Sequence, residues 1–363
     1  MTLATSVLYT ARPVVELDDA ESAELTARVL SVVVTETTEG LFRCELVAGN
    51  WSGDPPDGYV FNTRDTVDFG SRLGVRLGDG DRAGSVFHGV VTGIEAHYPE
   101  SRTPEIVFLA EDRLQDLRMT RRTRSFDDVA DADVIREVVN THGLTPSIDV
   151  EGPTHRHIAQ LNQSDLAFIR DRAHMLDADL WIDGSTVHVA RRSQPRGDEV
   201  TLTYNSDLRE LSVLADLAHQ RSKIVVAGWD VAAKEPIVAE ADVAVIHTEL
   251  GGDIAGVDLL ARALTARTET LVHTTPSTSA QARAQADTAL RTTARRFVTA
   301  TGRTEGDARL RVGTRVNLAG LGAGFSGRYT LIEVEHIFDA HHGYQTRFRA
   351  ERPGWRERHD PLR

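Results

Sequence analysis

The sequence predicts an α+β protein rich in β-strands, and three observations support this fold class. Apolar and polar residues alternate in short segments near both ends of the chain, as in "ARVLSVVVTETTEG" and "YTLIEVEHIF". Between these regions the apolar spacing changes to that of helices. An Ala-rich stretch, "STSAQARAQADTALRTTARRF", is the best helix candidate. Short strands separated by Gly or Asp-Gly are typical of a sandwich or a barrel.

The amino-terminal part is expected to consist of antiparallel strands. After the first alternating segment come "VDFGSRLGVRLGDG", "GSVFHGVVTGIEAHY" and "PEIVFLAED", each bounded by turn residues. A closed barrel is favoured because it would leave no exposed strand edge.

Beyond about residue 113 the sequence predicts a compact α+β insert. In "DADVIREVVNTHGL" we expect a helix with Asp131 as its N-cap and Gly143 as its left-handed stop. Ser164 is the expected cap of a second helix, in "NQSDLAFIRDRAHML". The segment "LWIDGSTVHVA" predicts a hairpin that turns at Asp183-Gly184.

Strands then resume, in "EVTLTYN", "LRELSVLAD" and "SKIVVAGWD", before a helical stretch. Thr278 and Gln281 form a capping-box pattern at the start of the Ala-rich helix. The final strands run from "FVTATGRTEG" to "YQTRFRAERP". No short sequence repeat is evident, although strand-rich regions at both ends suggest a structural one.

The chain has 363 residues, 40% hydrophobic and 26% charged, which is ordinary for a soluble protein of two or three domains. The formal net charge of -13 and the pI near 5.5 argue against recognition of nucleic acid or of an acidic membrane. The run "RMTRRTR" is the local exception, and acidic residues precede it. We expect this run to be a solvated linker.

Cys44 is the only cysteine, which excludes an intramolecular disulfide and a cysteine-based zinc site. The chain start lacks a basic region followed by an apolar stretch, and no segment has the apolar length that crosses a bilayer. We therefore expect assembly in the cytoplasm and no membrane segment.

The stretch "GAGFSG", Gly322–Gly327, matches a GxGxxG phosphate-binding pattern. A dinucleotide site needs a strand before this loop and a helix after it. Here the segments on both sides alternate as strands do, which predicts a strand-to-strand connection without a nucleotide. The sequence predicts no cofactor.

Two histidine pairs, His155 with His157 and His341 with His342, are the nearest approach to a metal site. Neither pair has a carboxylate and a further histidine at ligand spacing, so we expect exposed loop histidines and no metal. No G-x-S-x-G, H-E-x-x-H or reactive-cysteine pattern is present. The sequence therefore names no catalytic residue and predicts a protein that is not an enzyme, although catalytic residues outside such patterns stay open.

Four long phrases together resemble the phage late control D family. They begin with "LAEDRLQDLRMTRRTRSFDDVADADVIREVVNTHGL" and "QLNQSDLAFIRDRAHMLDADLWIDGSTVHV", and continue with "KIVVAGWDVAAKEPIV" and "ARRFVTATGRTEGDARLRVGTRVNLAGLGAGFSGRYTLIEVEHIFD". That family includes baseplate hub proteins of contractile phage tails, extracellular contractile injection systems and the hub part of type VI spike proteins. The likeness covers nearly the whole chain and is weakest around residues 240–276 and in the last ten or so.

The resemblance implies a four-part fold with two tail-tube-like antiparallel β-barrels and two smaller α+β or helical domains. The implied parts are a first barrel at 1–113, an α+β insert at 114–197, a second barrel made of 198–240 and 300–352, a helical connecting domain at 241–299, and a tail at 353–363.

It also implies a structural role as a homotrimer in the baseplate of a phage tail or phage-tail-like particle. Two barrels per chain would present six tube-like units to the hexameric inner tube above. A separate spike protein would lie below, beside other baseplate proteins. Two alternatives stay open: a needle-tip enzyme such as a cell-wall hydrolase, and a stand-alone cargo-binding module, which predicts a stable monomer.

The tail "GWRERHDPLR" is too short to build a trimeric needle, hence the expectation of a separate spike. Trp355 is apolar among charged residues, a composition suited to a contact site, and is our predicted contact with the spike. A frayed terminus is the alternative.

Overall fold

The computed structural model describes residues 12–53, 58–231 and 233–356. One 13-stranded sheet runs through the molecule, and four smaller sheets lie beside it in the described residues. This β-rich architecture with several helices agrees with the predicted α+β class.

The strands, in chain order, are β1 (Val14–Leu17), β2 (Ala20–Glu21), β3 (Val29–Thr37), β4 (Arg43–Gly49), β5 (Arg72–Leu77), β6 (Gly84–His97), β7 (Glu105–Glu111), β8 (Arg121–Ala130), β9 (Thr145–Asp149), β10 (Thr154–Ser164), β11 (Ala178–Asp183), β12 (Thr186–Arg191), β13 (Val200–Thr203), β14 (Leu208–Ala215), β15 (Lys223–Asp230), β16 (Glu235–Ala241), β17 (Ile254–Ala255), β18 (Thr268–Leu271), β19 (Val298–Glu305), β20 (Arg315–Ala319), β21 (Gly327–Asp339), β22 (Gly343–Arg352) and β23 (Gly354–Trp355).

The α-helices are α1 (Ala23–Arg28), α2 (Asp131–Thr141), α3 (Asp165–Met175), α4 (His247–Leu250), α5 (Gly256–Ala263), α6 (Ser279–Arg295) and α7 (Gly322–Phe325). Three short 3₁₀ turns lie at Gly80–Arg82, Arg113–Leu117 and Val243–Ile246 in the described residues.

Two sets of six strands in the large sheet share one topology. In the first set the neighbours run β1-β5-β6-β7-β4-β3, and in the second they run β13-β20-β21-β22-β19-β14. When each set is numbered along the chain, both follow the order first, fourth, fifth, sixth, third, second. The sets differ at one place, because β1 is antiparallel to β5 whereas β13 is parallel to β20. Each set has its own apolar core, built from alternate residues of its strands.

The strand irregularities also coincide. In β6 the register with β7 shifts between Val91 and Gly93, and in β21 the register with β22 shifts between Leu331 and Glu333. A corresponding shift occurs near the start of β3 against β4 and of β14 against β19. Bulges that recur at equivalent positions align the two sets residue by residue.

This alignment places two pairs of weakly similar short segments at equivalent positions. Residues 70–75, "GSRLGV", are equivalent to residues 313–318, "GTRVNL", and "FLAE" at 108–111 is equivalent to "FRAE" at 348–351. Gly70 and Gly313 have φ values of 84° and 86°, where glycine carries no Cβ penalty. This similarity is too short and weak to count as a sequence repeat, and it is noticed only through the strand register.

The two sets form one continuous sheet because β21 has two neighbours on one side. Its first residues pair with β20, and Glu333–Asp339 pair with Ser31–Thr37 of β3. We call the β3–β21 pairing the internal junction. Whether each set is a closed barrel stays a prediction.

The insert follows the expected helix signals with two corrections. The Ser164 hydroxyl accepts from the Ala167 N–H at the start of α3, and Gly143 has a φ of 65° after α2, so both predictions are confirmed. The N-cap of α2 is Ala130 rather than Asp131, whose buried carboxylate forms an ion pair with Arg172 at 3.2 Å. The tight turn between β11 and β12 falls at residues 184–185, one position later than expected, because Asp183 still pairs with Thr186.

The region after β14 differs from the expected domain grouping. Strands β15, β16 and β18 form a separate sheet that packs on α6 through buried Ile224, Val226, Ala282 and Ala286. Residues 223–241 therefore pack with the expected helical region rather than in the large sheet, since the apolar face of α6 needs a sheet to cover it. The Thr278 cap is confirmed, because its hydroxyl accepts from the Gln281 N–H.

Candidate functional site: the carboxyl-terminal strand and the buried charge networks

The predicted spike contact, Trp355, lies in a short strand within the fold. Its strand β23 pairs with β17. The Trp355 ring packs edge-on against Phe325, with 4.9 Å between ring centroids. A Cβ at Gly324 would lie 2.3 Å from the Trp355 ring, so only glycine leaves room for it. Trp355 is half-buried, and the tail beyond Arg356 lies outside the described residues.

The glycine-rich stretch joins β20 to β21, as expected, but contains the single helical turn α7, which the sequence did not predict. The buried Arg352 side chain donates to the carbonyl oxygens of Ser326, at 3.1 Å, and of Gly324. The guanidinium also lies 4.8 Å from the centre of the Tyr329 ring. Burial lowers the pKa of Arg352, with the nearby Tyr329 and Asp253 opposing that shift. The loop thus presents carbonyl oxygens to a cation of the same chain.

A buried ion network joins three parts of the chain that are distant in sequence. Arg295, at the end of α6, donates to Asp177 of the insert at 2.7 Å and to Glu249 of α4 at 2.6 Å. Burial lowers the pKa of Arg295, but its bonds to Glu249 and Asp177 outweigh this and raise the pKa overall. The guanidinium therefore stays charged and holds the insert against the helical region.

A neighbouring network joins the insert to the second strand set. Arg192 lies 2.7 Å from Asp179 and 3.6 Å from Glu351 on β22. Burial raises the pKa of Glu351, and Arg192 opposes that shift. A cavity of about 70 Å³ is lined by members of both networks, Arg192 and Glu351 from one and Arg295 and Glu249 from the other. We call the two networks and this cavity the charged seam.

The arginine run is not a solvated linker. It enters β8, and Arg122 and Arg124 lie 3.0 and 2.8 Å from Asp165, which is 1% exposed. His142 and Gln160 also bond this carboxylate. Burial raises the pKa of Asp165, but these bonds and the two arginines lower it overall. The run is a structural clamp on α3, and the sequence missed it because the acceptor lies about forty residues away.

The histidines do not form one site. His341 and His342 are exposed beside Asp339 in the β21–β22 turn, as predicted. The loop prediction is wrong for the other pair, which lies on β10: His157 is exposed and bonds Asp127, whereas His155 is half-buried between Asp131 and Gln281. Within the described ranges, no group of three His, Cys, Asp or Glu side chains is placed to hold a metal ion.

The internal junction contains two buried polar side chains, Glu36 and His336, each 0% exposed. The Glu36 carboxylate forms an ion pair with Arg311 and accepts from the Val312 N–H at 3.2 Å. Burial and the Arg311 charge lower the pKa of His336 to about 3, so the imidazole is neutral. Its Nδ1 lies 2.7 Å from the Tyr344 hydroxyl.

A cleft of about 690 Å³ lies between the insert and α6. Phe168, Met175 and Leu271 supply apolar walls, and His157, His174 and His273 stand at its margins. This cleft is a concave, mixed surface of the kind that binds ligands or peptides.

Solved structures share this fold. The 43 kDa tail protein of prophage MuSo2 from Shewanella oneidensis is 14% identical, with a TM-score of 0.69 over 94% of this chain and 98% of that chain. The tail protein from Neisseria meningitidis MC58 is 13% identical, with a TM-score of 0.66 over 95% and 97%. A component of the type VI secretion system of Escherichia coli is 12% identical, with a TM-score of 0.57 over 95% and 79%. The chain has the fold of phage tail proteins and of a type VI secretion component.

Residues 15–339 match the family described as the Alg8 N-terminal domain, and the chain therefore belongs to that family. No curated protein matches the sequence. In the described residues no helix is long and apolar enough to cross a membrane.

Proposed function

We propose that the chain is the baseplate hub of a contractile injection machine, either a phage tail or a phage-tail-like particle. Three copies form a ring that joins the hexameric inner tube above to a separate trimeric spike below, in contact with other baseplate proteins. The observation that carries this proposal is the strand order repeated in the two halves of the large sheet. Three chains with two equivalent units each present six units, which matches a sixfold tube.

In this proposal each strand set is one tube-like barrel. The first is residues 1–113, and the second is formed from residues 198–240 and 300–352, with its first segment ending near residue 222 because β15 and β16 pack on α6. The insert at 114–197 and the helical region at 241–299 decorate the barrels. The names of the structural neighbours, two tail proteins and a type VI secretion component, support this assignment.

The charged seam suits a part that transmits force. A buried ion pair is costly to break, because each partner left alone is an uncompensated buried charge. Arg295 and Arg192 each engage a carboxylate from the insert and one from another part of the chain. The insert, the helical region and the second strand set therefore move as one unit rather than as domains on flexible linkers. The role is mechanical, and catalysis is not required for it.

The proposal is tested in the producing cell. Deleting the gene should leave sheath and tube without assembled particles, and the wild-type gene should restore them. In particles imaged by electron microscopy, averaging should place threefold density for this chain between tube and spike. A dimeric or sixfold arrangement at that position, or normal particles without the gene, would refute the hub assignment.

We also propose that the surface around Trp355 is where the spike docks. Trp355 supports β23, so its replacement tests packing and contact together, whereas removal of residues 357–363 leaves the strand intact. We expect Trp355→Ala to reduce co-purification of the spike, and the truncation to reduce it only if the tail adds contacts. Undiminished spike retention by both variants would show that this end of the chain is not the anchor.

The alternatives make different predictions. A cell-wall hydrolase would lower the turbidity of a peptidoglycan suspension, and a point substitution would abolish that activity. A cargo-binding module would use the 690 Å³ cleft beside α6 and would remain a monomer in concentrated solution. Native mass spectrometry separates that monomer from the proposed homotrimer.

A further inference from the structure

One edge of the large sheet is uncovered in β14. This strand pairs with β19, and the Asp216 N–H donates to the Phe297 carbonyl at the end of the same ladder. Because N–H groups alternate in direction along an antiparallel strand, those of Val213 and Ala215 point away from β19. Apart from a bridge at Leu208, no strand of the described residues pairs with β14 on that side.

A second uncovered edge lies in the far half of β6. On one side this strand pairs with β7 along Val90–His97. On the other side β5 ends opposite Val90, and the Ser71 carbonyl accepts from the Val91 N–H. From Thr92 onward, no strand in the described ranges pairs with that side. Tyr98, just beyond the strand, is 59% exposed.

The two uncovered strands are the counterparts of the two strands in the internal junction. β14 occupies the position of β3 in its set, and β6 occupies that of β21. Val213 pairs with Ala300 as Val34 pairs with Cys44, so Val213 is equivalent to Val34. The shared bulges make Ala96 equivalent to His336.

At these equivalent positions, side chains on the paired strands β3 and β21 are more buried than side chains on the unpaired edges of β14 and β6. Val34 and His336, which pair across the internal junction, are both 0% exposed. Their counterparts are more exposed: Val213 is half-buried and Ala96 is exposed. Leu214, on the other face of β14, is 60% exposed. The counterpart strands carry apolar residues and, among the residues that the structure describes, backbone groups without a strand partner, which is the condition of a strand edge that awaits a partner.

We propose that two copies of the chain join through β14 of one and residues 92–98 of the other, in the register of the internal junction. Val213 of one copy then faces Ala96 of the next, and Leu214 faces Glu95. The contact is head-to-tail, and contacts of this kind close into rings when the rotation permits. The inference rests on the proposed homotrimer and names the strands that hold it together.

Cysteine pairs test the register. The native Cys44 is buried, and burial raises the pKa of its thiol, which keeps it unreactive. In the proposed register, Leu214 of one copy and Glu95 of the next form a non-hydrogen-bonded pair, whose Cα atoms are close enough for a disulfide. The test variant therefore carries Leu214→Cys and Glu95→Cys. Mild oxidation of the concentrated protein should then link separate chains, read on a non-reducing gel and by mass spectrometry.

Two matched variants control the geometry. Thr35→Cys with Glu335→Cys occupies the equivalent pair of the internal junction and should close a disulfide within one chain. Leu214→Cys with His97→Cys is two residues out of register and should link chains far less. Val213→Pro removes an outward N–H without touching the β14–β19 ladder, and should abolish self-association while circular dichroism remains native.

The possible results test the proposed strand pairing and the proposed trimer separately. Covalent products that stop at three copies support both this inference and the proposed homotrimer. Products that continue beyond three support the strand pairing and refute the trimer. A wild-type trimer whose cysteine pair stays reduced, while the internal pair oxidises, overturns the pairing and leaves the trimer standing. A monomer with no interchain disulfide in concentrated solution also overturns the pairing.

Discussion

The internal junction is formed by β3 and β21, and the equivalent strands in the opposite sets are β14 and β6. The two pairs of strands have the same backbone arrangement but different side chains. At the junction, β3 carries Glu36 and β21 carries His336, both fully buried and both bonded. The equivalent positions on β14 and β6 hold Ala215 and Ala96. A junction that forms once, during folding, tolerates buried polar groups because their partners are always present. An edge that is first wet and then covered is better served by small apolar residues, which cost little in either state.

The largest difference should appear when one charge is placed at each of two equivalent valines. Val34→Asp puts an unpaired carboxylate into a fully buried site and should lower the free energy of unfolding by roughly 3 kcal/mol or more. Val213→Asp, on the half-buried edge, should cost less than about 1 kcal/mol while preventing self-association. Urea unfolding followed by circular dichroism gives both values. Equal losses would mean that the two strands are not counterparts.

The buried carboxylate of the junction is the next test. Glu36→Ala leaves the partly exposed Arg311 without its partner and should cost about 2 kcal/mol. Its control is Glu333→Ala, which removes an exposed pair with Arg349 and should cost at most about 0.5 kcal/mol. A Glu36→Ala protein as stable as the wild type would show that the buried pair contributes nothing net.

The neutral His336 makes the junction sensitive to acid. Its pKa is about 3 in the fold and about 6.5 in the unfolded chain, so the unfolded state takes up the proton first. Its stabilising contribution is complete above pH 6.5 and is lost as the pH falls towards 3, by up to about 1.4 kcal/mol per pH unit. His336→Gln should lose less stability than the wild type between pH 7 and pH 5.5. Identical slopes would show that His336 does not titrate on unfolding.

The smallest effects should come from the two equivalent glycines. Gly70→Ala and Gly313→Ala each place a Cβ at positive φ and should cost about 1 kcal/mol. Gly313→Ala should cost somewhat more, because its Cβ would lie 2.7 Å from the Arg196 side chain. Gly49→Ala is the control, because Gly49 has no positive φ and a Cβ there would make only an ordinary contact, 3.9 Å from the Arg28 carbonyl oxygen. Thermal unfolding resolves these differences, and a neutral Gly70→Ala would remove the strain argument.

Local patterns in the sequence predicted most strands of the large sheet, the helices α2, α3 and α6, and the caps at Ser164 and Thr278, because each depends on residues a few positions apart. The pairing of β3 with β21 could not be predicted, since about three hundred residues separate the strands. For the same reason Asp131 resembled a helix cap, and the arginine run resembled a linker, until their distant partners were placed. Trp355 stood out in the sequence as the apolar residue of a charged tail, but its neighbours Phe325 and Gly324 lie on a loop thirty residues earlier.

The pairing of β21 with two neighbouring strands affects how the large sheet bears a force. The first residues of β21 pair with β20, and its later residues pair with β3. A ladder of backbone hydrogen bonds, rather than a flexible linker, therefore joins the two strand sets. A push along the strand direction loads those bonds together, in shear, instead of peeling them one at a time. Sliding one half of the sheet past the other along this strand therefore requires several backbone hydrogen bonds to break together.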